Sequence, residues 1–132
     1  MDKSHSLELV RVFFDSITNS DSDGMRPLLT ETVCFWVPRS AADGGEIERS
    51  IHGRENVVEL VSQHAYFKEI EWVFEHVVVD DDLIAVHTSA HGTTRTDKTY
   101  ENEYHFLFRL QGEQIDEVWE ILDTAYAFAQ IT

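Results

Sequence analysis

The sequence predicts an α+β domain in which helices cover one face of an antiparallel sheet. Apolar residues at helical spacing occur mainly in the first half of the chain. The second half holds four strand-like stretches separated by short turns, a pattern typical of an antiparallel meander. Helices and strands that are segregated in this way favour the α+β class. A length of 132 residues suits one compact domain, which we take to span 1–132.

Three helices are predicted before the meander. Residues 5–18 place apolar side chains on one helical face, and a short second helix is expected over 24–31. Gly53 precedes a third apolar pattern, which predicts a helix within 52–64. The candidate N-caps are Ser4 or Ser6 for the first helix and Asp21 or Asp23 for the second.

The remaining elements are strands and turns. The β-branched and aromatic run 32–37 predicts a strand that ends at Pro38, and the polar segment 39–50 is expected to form a loop or irregular hairpin. Helices lying across the open side of a strongly curved sheet would leave a cavity suited to a small molecule. The meander strands are predicted over 67–79, 83–94, 99–110 and 114–122.

Composition excludes several classes of partner. The chain carries 25 acidic and 10 basic residues, for a net charge of -15. Nucleic acids and anionic membranes require a basic surface, so neither is expected as a partner. The single cysteine, Cys34, excludes an internal disulfide, and no apolar run approaches membrane length. We therefore expect a soluble, cytoplasmic protein.

The last strand, "IDEVWEILD" over 115–123, presents a problem of polarity. Side chains on a strand alternate between two faces. One face would carry Glu117 with Trp119, and the other would carry Glu120 with Val118. Whichever face is buried, a carboxylate goes inside with the apolar residues.

The order of elements and four local motifs resemble one known superfamily. The motifs are "VFFDSITNSDSDGMRPLLTETVCF", "IHGRENVVEL", "LIAVHTSAHGT" and "ENEYHFLFRLQGEQIDEVWEILDT". The superfamily includes ketosteroid isomerase, the SnoaL-type polyketide cyclases, limonene epoxide hydrolase and nuclear transport factor two. The resemblance implies a cone-shaped fold, with a strongly curved sheet wrapped around three N-terminal helices and a central cavity, often as a dimer. This fold serves both enzymes and binding proteins, so it does not fix the function.

Carried over residue by residue, the resemblance preserves only part of each known site. Phe35 stands at the position of the isomerase's basic aspartate, Phe13 at that of its oxyanion tyrosine, and Tyr104 at that of its oxyanion aspartate. Tyr104 and Phe106 replace the Arg and Asp of limonene epoxide hydrolase. Glu120 matches the acid–base aspartate of the SnoaL-type cyclases, which would turn Glu120 into the cavity.

The leading hypothesis is a small enzyme that uses acid–base chemistry without a cofactor on a hydrophobic carbonyl compound or epoxide. Glu120 would shuttle the proton and Tyr104 would polarise oxygen, for an isomerisation, cyclisation, dehydration or hydrolysis. Alternatively, Glu120 pairs with Arg109 or His105 or faces solvent, and the protein is a non-catalytic binding module or a structural dimer with a filled cavity. The predicted substrate-binding residues are Phe13, Phe14, Phe35, Trp36, Val61, His64, Phe106 and Val118.

Two further expectations concern metals and self-association. His87 and His91 are four residues apart, but on a strand this spacing separates them by more than about 10 Å. His105 would have to lie opposite one of them to complete a site, so no metal site is expected. A homodimer is expected through the convex sheet face, which would carry Trp119, Ile121, Leu107 and His87.

Overall fold

The computed structural model describes residues 2–42, 48–62 and 66–131. In this part of the chain, helices dominate the first half and a long meander the second. The helices are α1 Lys3–Thr18, α2 Ser22–Met25, α3 Arg39–Ala42, α4 Arg54–Ser62 and α5 Thr124–Ile131, with a 3-10 turn at Arg26–Leu28. The strands are β1 Leu29–Trp36, β2 Ser50–His52, β3 Phe67–Asp80, β4 Leu83–Thr94, β5 Thr99–Gln111 and β6 Gln114–Leu122.

The strands form one curved, unclosed sheet in the order β2-β1-β6-β5-β4-β3. Neighbouring strands are antiparallel, except that β1 and β6 pair in parallel. The helices cover one face of this sheet, so the predicted α+β class is confirmed. We call the face toward the helices concave and the opposite face convex.

The first two helices begin and end differently from the prediction. Asp2, rather than Ser4 or Ser6, caps α1, and its Oδ1 accepts from the backbone N–H of His5 at 2.9 Å. Asp21 caps α2, as one of the predicted alternatives has it. The expected second helix is cut short because Leu29 begins β1, where it pairs with Ile115 of β6.

The C-terminal helix α5 follows the last strand directly. Asp123 caps it, because its Oδ1 accepts from the backbone N–H of Tyr126 at 3.0 Å. Gln130 holds its far end against β5, donating to the carbonyl of Glu101 at 2.8 Å and accepting from the Glu101 N–H at 2.9 Å. The sequence patterns did not predict this helix.

The core lies between α1 and the concave face of the sheet. Phe13 packs edge-on against Phe108 of β5, and Phe14 packs against Phe106, each with ring centroids 5.1 Å apart. All four rings are buried. Within the described residues, no helix is both long and apolar enough to span a membrane.

Candidate active site

A cavity of about 470 Å³ lies beyond this core, toward the open end of the sheet. Its walls come from the concave face together with α4 and α5, and Ile17 of α1 and Ala41 of α3 add to them. Next to the cavity α3 contacts α5, where the hydroxyl oxygens of Ser40 and Thr124 are 2.6 Å apart. The wall is mostly apolar, and its aromatic residues are Phe35, Tyr66, Phe67, Trp72, Tyr100, Tyr104, Phe106 and Phe128.

Glu120 is the one charged residue among the described residues that line this cavity. It lies opposite Phe106 in the pairing of β5 with β6, so strand alternation turns its side chain to the concave face. Its carboxylate makes no hydrogen bond or ion pair with any other residue in the described part of the chain. Burial in these surroundings raises the pKa of Glu120 to about 7.

The alternative partners of Glu120 are engaged on the convex face. Arg109 lies 3.6 Å from Glu117, measured from Nη1 to Oε1. Glu117 also accepts a hydrogen bond from the indole Nε1 of Trp36 at 2.7 Å. His105 stacks on His87 with ring centroids 4.7 Å apart. Glu117 is therefore the carboxylate of this strand that has partners, and Glu120 is the one that faces the cavity.

Tyr104 presents a hydroxyl at the same cavity. Its ring is buried, and its Oη lies 2.7 Å from the Oη of Tyr100. Burial, followed by the nearby Tyr100 and Glu120, raises the pKa of Tyr104 far above its ordinary value. Tyr104 therefore stays protonated at neutral pH.

The structure gathers only part of the predicted set around Glu120 and Tyr104. Phe35, Val61 and Phe106 line the cavity with them. Phe13, Phe14 and Val118 do not, because α1 seals that end of the concave face: Val118 pairs with Phe108, on which Phe13 packs. Trp36 lies beside Trp119 on the other face of the sheet. His64 lies outside the described residues.

Three cavity features had not been predicted. Tyr100 lies four residues before Tyr104 on the same face of β5, and this spacing in the sequence was a usable signal. Trp72 of β3 also lines the cavity, and its indole Nε1 is buried without a hydrogen-bond partner in the described part of the chain. Helix α5 adds Ala127 and Phe128 to the cavity wall.

Two of the histidines considered as metal ligands, His87 and His105, form a stack with His76 on the convex face. His87 lies between His76 and His105, with ring centroids 5.3 Å and 4.7 Å apart. The two Nδ1 atoms of His76 and His87 are 3.1 Å apart, and Nε2 of His87 lies 3.1 Å from a carboxylate oxygen of Glu103. Across the described ranges, no group of three or more His, Cys, Asp or Glu side chains could hold a metal ion.

Comparison with known proteins places the fold. The family model for the SnoaL-like domain matches residues 10–118. The search among curated proteins found no match.

Solved structures of similar shape share little sequence with this chain. An NTF2-like protein of unknown function from Burkholderia pseudomallei K96243 has a TM-score of 0.85 at 16% identity, covering 100% of this chain and 99% of its own. A protein with a ketosteroid isomerase-like fold from Catenulispora acidiphila DSM 44928, solved with trimethylamine, has a TM-score of 0.79 at 14% identity, covering 94% and 92%. An LEH-like epoxide hydrolase from M. tuberculosis has a TM-score of 0.76 at 12% identity, covering 97% and 90%.

Proposed function

The chain belongs to the SnoaL-like domain family, and we propose that it is a small enzyme acting on a hydrophobic molecule by acid–base chemistry without a cofactor. Its substrate carries a carbonyl or epoxide oxygen and binds in the cavity of the concave face. Glu120 moves the proton, and the hydroxyl of Tyr104 donates to the substrate oxygen.

The observation that carries this proposal is the unpaired carboxylate of Glu120 in an apolar cavity. A pKa of about 7 lets the group both accept and release a proton at neutral pH. A carboxylate held for stability alone would be expected to have a cation or several donors around it. Among the described residues, no cation lines the cavity and no side chain forms a hydrogen bond with Glu120.

The electrostatics of the cavity favour a neutral substrate. Among the described lining residues there is no Lys, Arg or His to receive an anionic group. A carboxylate on the substrate would be desolvated beside Glu120 without compensation. Neutral ketones, enones and epoxides match both the apolar wall and the hydroxyl donor of Tyr104.

A non-catalytic ligand-binding protein is the second candidate. Phe35 lines the cavity at the position that matches the isomerase's basic aspartate, so no second carboxylate assists Glu120 there. The open volume of the cavity favours both candidates over a purely structural dimer with a filled interior. The epoxide hydrolase of similar fold supports an enzyme at the level of shape only.

The test begins with mass spectrometry of ligands that co-purify with the protein and a turnover screen of hydrophobic ketones and epoxides. With a substrate in hand, Glu120→Gln is expected to lower kcat by roughly two to four orders of magnitude, the usual contribution of a general acid or base. Tyr104→Phe is expected to cost on the order of tenfold to a thousandfold.

Glu117→Gln is the matched control, because Glu117 lies on the same strand but faces the convex side. It is expected to leave kcat within about threefold of the parent. Ligand binding that survives in Glu120→Gln, without turnover in the parent protein, would favour the non-catalytic candidate.

The partner we propose is a second copy of the chain, bound through the convex face. Val78, Leu107 and Ile121 on that face are 62%, 36% and 57% exposed. Large exposed apolar side chains that neighbour one another are typical of an association surface.

A further inference from the structure

We propose that Tyr100 is a positioning residue: Asn102 and Tyr100 set the direction of a hydrogen-bond chain that ends at Tyr104 and aims the Tyr104 proton at the ligand oxygen. The inference rests on the proposed function, since it concerns how the same cavity recognises an oxygen. Asn102 and Tyr100, which are linked to Tyr104 by hydrogen bonds, would orient the donor of the proposed site.

The orientation of the Asn102 side chain is determined by its backbone contacts. Its Oδ1 accepts from the N–H of Glu103 at 2.8 Å, and its Nδ2 donates to the carbonyl of Asp123 at 3.0 Å. Exchanging the oxygen and nitrogen would oppose like groups at both contacts. The second Nδ2 proton therefore goes to the Oη of Tyr100, 3.3 Å away.

This contact decides which tyrosine donates to the other. Tyr100 has no exposed surface, so its hydroxyl proton needs an acceptor inside the protein. The Oη of Tyr104, at 2.7 Å, is the one acceptor that the described residues offer. The proton of Tyr100 therefore points to Tyr104.

Tyr104 is then left with a free proton. Its Oη already accepts from Tyr100, and its hydroxyl makes no other hydrogen bond in the described part of the chain. Because Tyr104 lines the cavity, this proton is available to a ligand there. A hydroxyl that accepts one hydrogen bond becomes a stronger donor of the next, so Tyr100 both aims and strengthens Tyr104.

The hydrogen-bond chain also connects the cavity to helix α5. The carbonyl that accepts the hydrogen bond from Asn102 Nδ2 belongs to Asp123, which caps α5. The N-terminus of that helix and the donor at Tyr104 are thus joined through two buried side chains, Asn102 and Tyr100.

The experiment uses two probes of nearly equal shape, acetonaphthone with an isotope-labelled carbonyl and ethylnaphthalene without one. Kd is measured for the full chain and for Tyr100→Phe, Tyr104→Phe and Asn102→Ala, and the carbonyl stretch of bound acetonaphthone is read by infrared difference spectroscopy. Thermal unfolding checks that each variant is folded.

The expected result has three parts. Tyr104→Phe removes the red shift of the carbonyl stretch. It also raises the Kd of acetonaphthone by about 3- to 10-fold, the effect of one neutral hydrogen bond. Tyr100→Phe keeps the probe bound but reduces the red shift, with a loss of about 2- to 5-fold. Asn102→Ala also reduces the red shift of the carbonyl stretch, as Tyr100→Phe does. Ethylnaphthalene binds with the same Kd to the parent and to every folded variant.

Two outcomes would overturn the inference in distinguishable ways. If both probes bind and the carbonyl stretch is the same in Tyr100→Phe as in the parent, Tyr100 does not position the donor, and the proposed function stands. If neither probe binds the parent protein, the cavity is not a site for flat apolar ligands, and the proposed function fails together with the inference. Should Tyr100→Phe not fold, the carbonyl stretch in Asn102→Ala decides the question.

Discussion

Among single residues, Glu120 lowers the free energy of unfolding when it is ionised, because no neighbouring group in the described part of the chain compensates for its desolvation. The pKa of this carboxyl rises from an ordinary value of 4.5 to about 7 because the group is desolvated. The folded chain therefore binds this proton more tightly than the unfolded chain does. The ionised form destabilises the fold, and this cost grows as the pH rises from about 4.5 to about 7.

Glu120→Gln should remove that cost, since glutamine has nearly the same shape and no charge. We expect the variant to be more stable than the parent by about 1–3 kcal/mol above pH 8, and about equally stable near pH 4. Urea unfolding at both pH values measures the difference. Glu117→Gln, whose carboxylate accepts from Trp36, should show no such gain. A loss of several kcal/mol in Glu120→Gln at every pH would instead indicate a buried ion pair in solution.

For Glu120, the sequence pattern predicts the face of the strand but not the depth of burial. Strand alternation predicts that Val118, Glu120 and Leu122 share one face, and the structure has them so. It does not tell how deep each position lies. Val118 is fully buried beneath α1, whereas Glu120 opens on the cavity, because α1 covers only one end of the concave face.

At the scale of elements, the strands of the meander were predictable and two other segments were not. Each meander strand joins the next through a short turn, so its pairing is local and its pattern is strong. Leu29 had looked helical, but it pairs with Ile115, far along the chain, and tertiary pairing overrides local preference. Helix α5 is short and apolar at nearly every position, so no one-sided apolar stripe marks it in the sequence.

The Asp123 cap should contribute measurably to the stability of helix α5. Asp123→Ala removes the acceptor for the Tyr126 N–H and should lower the free energy of unfolding by about 1 kcal/mol, a typical N-cap loss. Because the cap holds the first turn of α5, the amides of this helix should also exchange hydrogen faster, while those of β4 and β5 stay protected. Asp123→Ser, which keeps a capping oxygen, is the matched control. Unchanged exchange in Asp123→Ala would show that packing and Gln130 hold the helix without its cap.

At the scale of the whole molecule, charge and apolar surface oppose each other. A net charge of -15 drives two copies apart, and it acts over a distance set by the salt concentration. The convex face favours association, because it carries a row of apolar side chains across the strands. In this row Leu107 lies between Ala85 and Trp119, and Val78 lies at the end. Cross-strand neighbours of this kind form one continuous patch.

If the apolar contact outweighs the charge repulsion, the protein forms the proposed homodimer. Light scattering at micromolar concentration should give twice the mass of one chain, and Ile121→Glu should give the mass of one chain. The physical reason is that Ile121, 57% exposed on the convex face, would place a desolvated carboxylate in the interface. Added salt should tighten the parent dimer, because it screens the repulsion between two acidic chains while the apolar contact is unaffected. Ala129→Glu adds the same charge on α5 and should leave the dimer intact. A parent protein that stays monomeric in high salt would leave the convex face without the partner proposed for it.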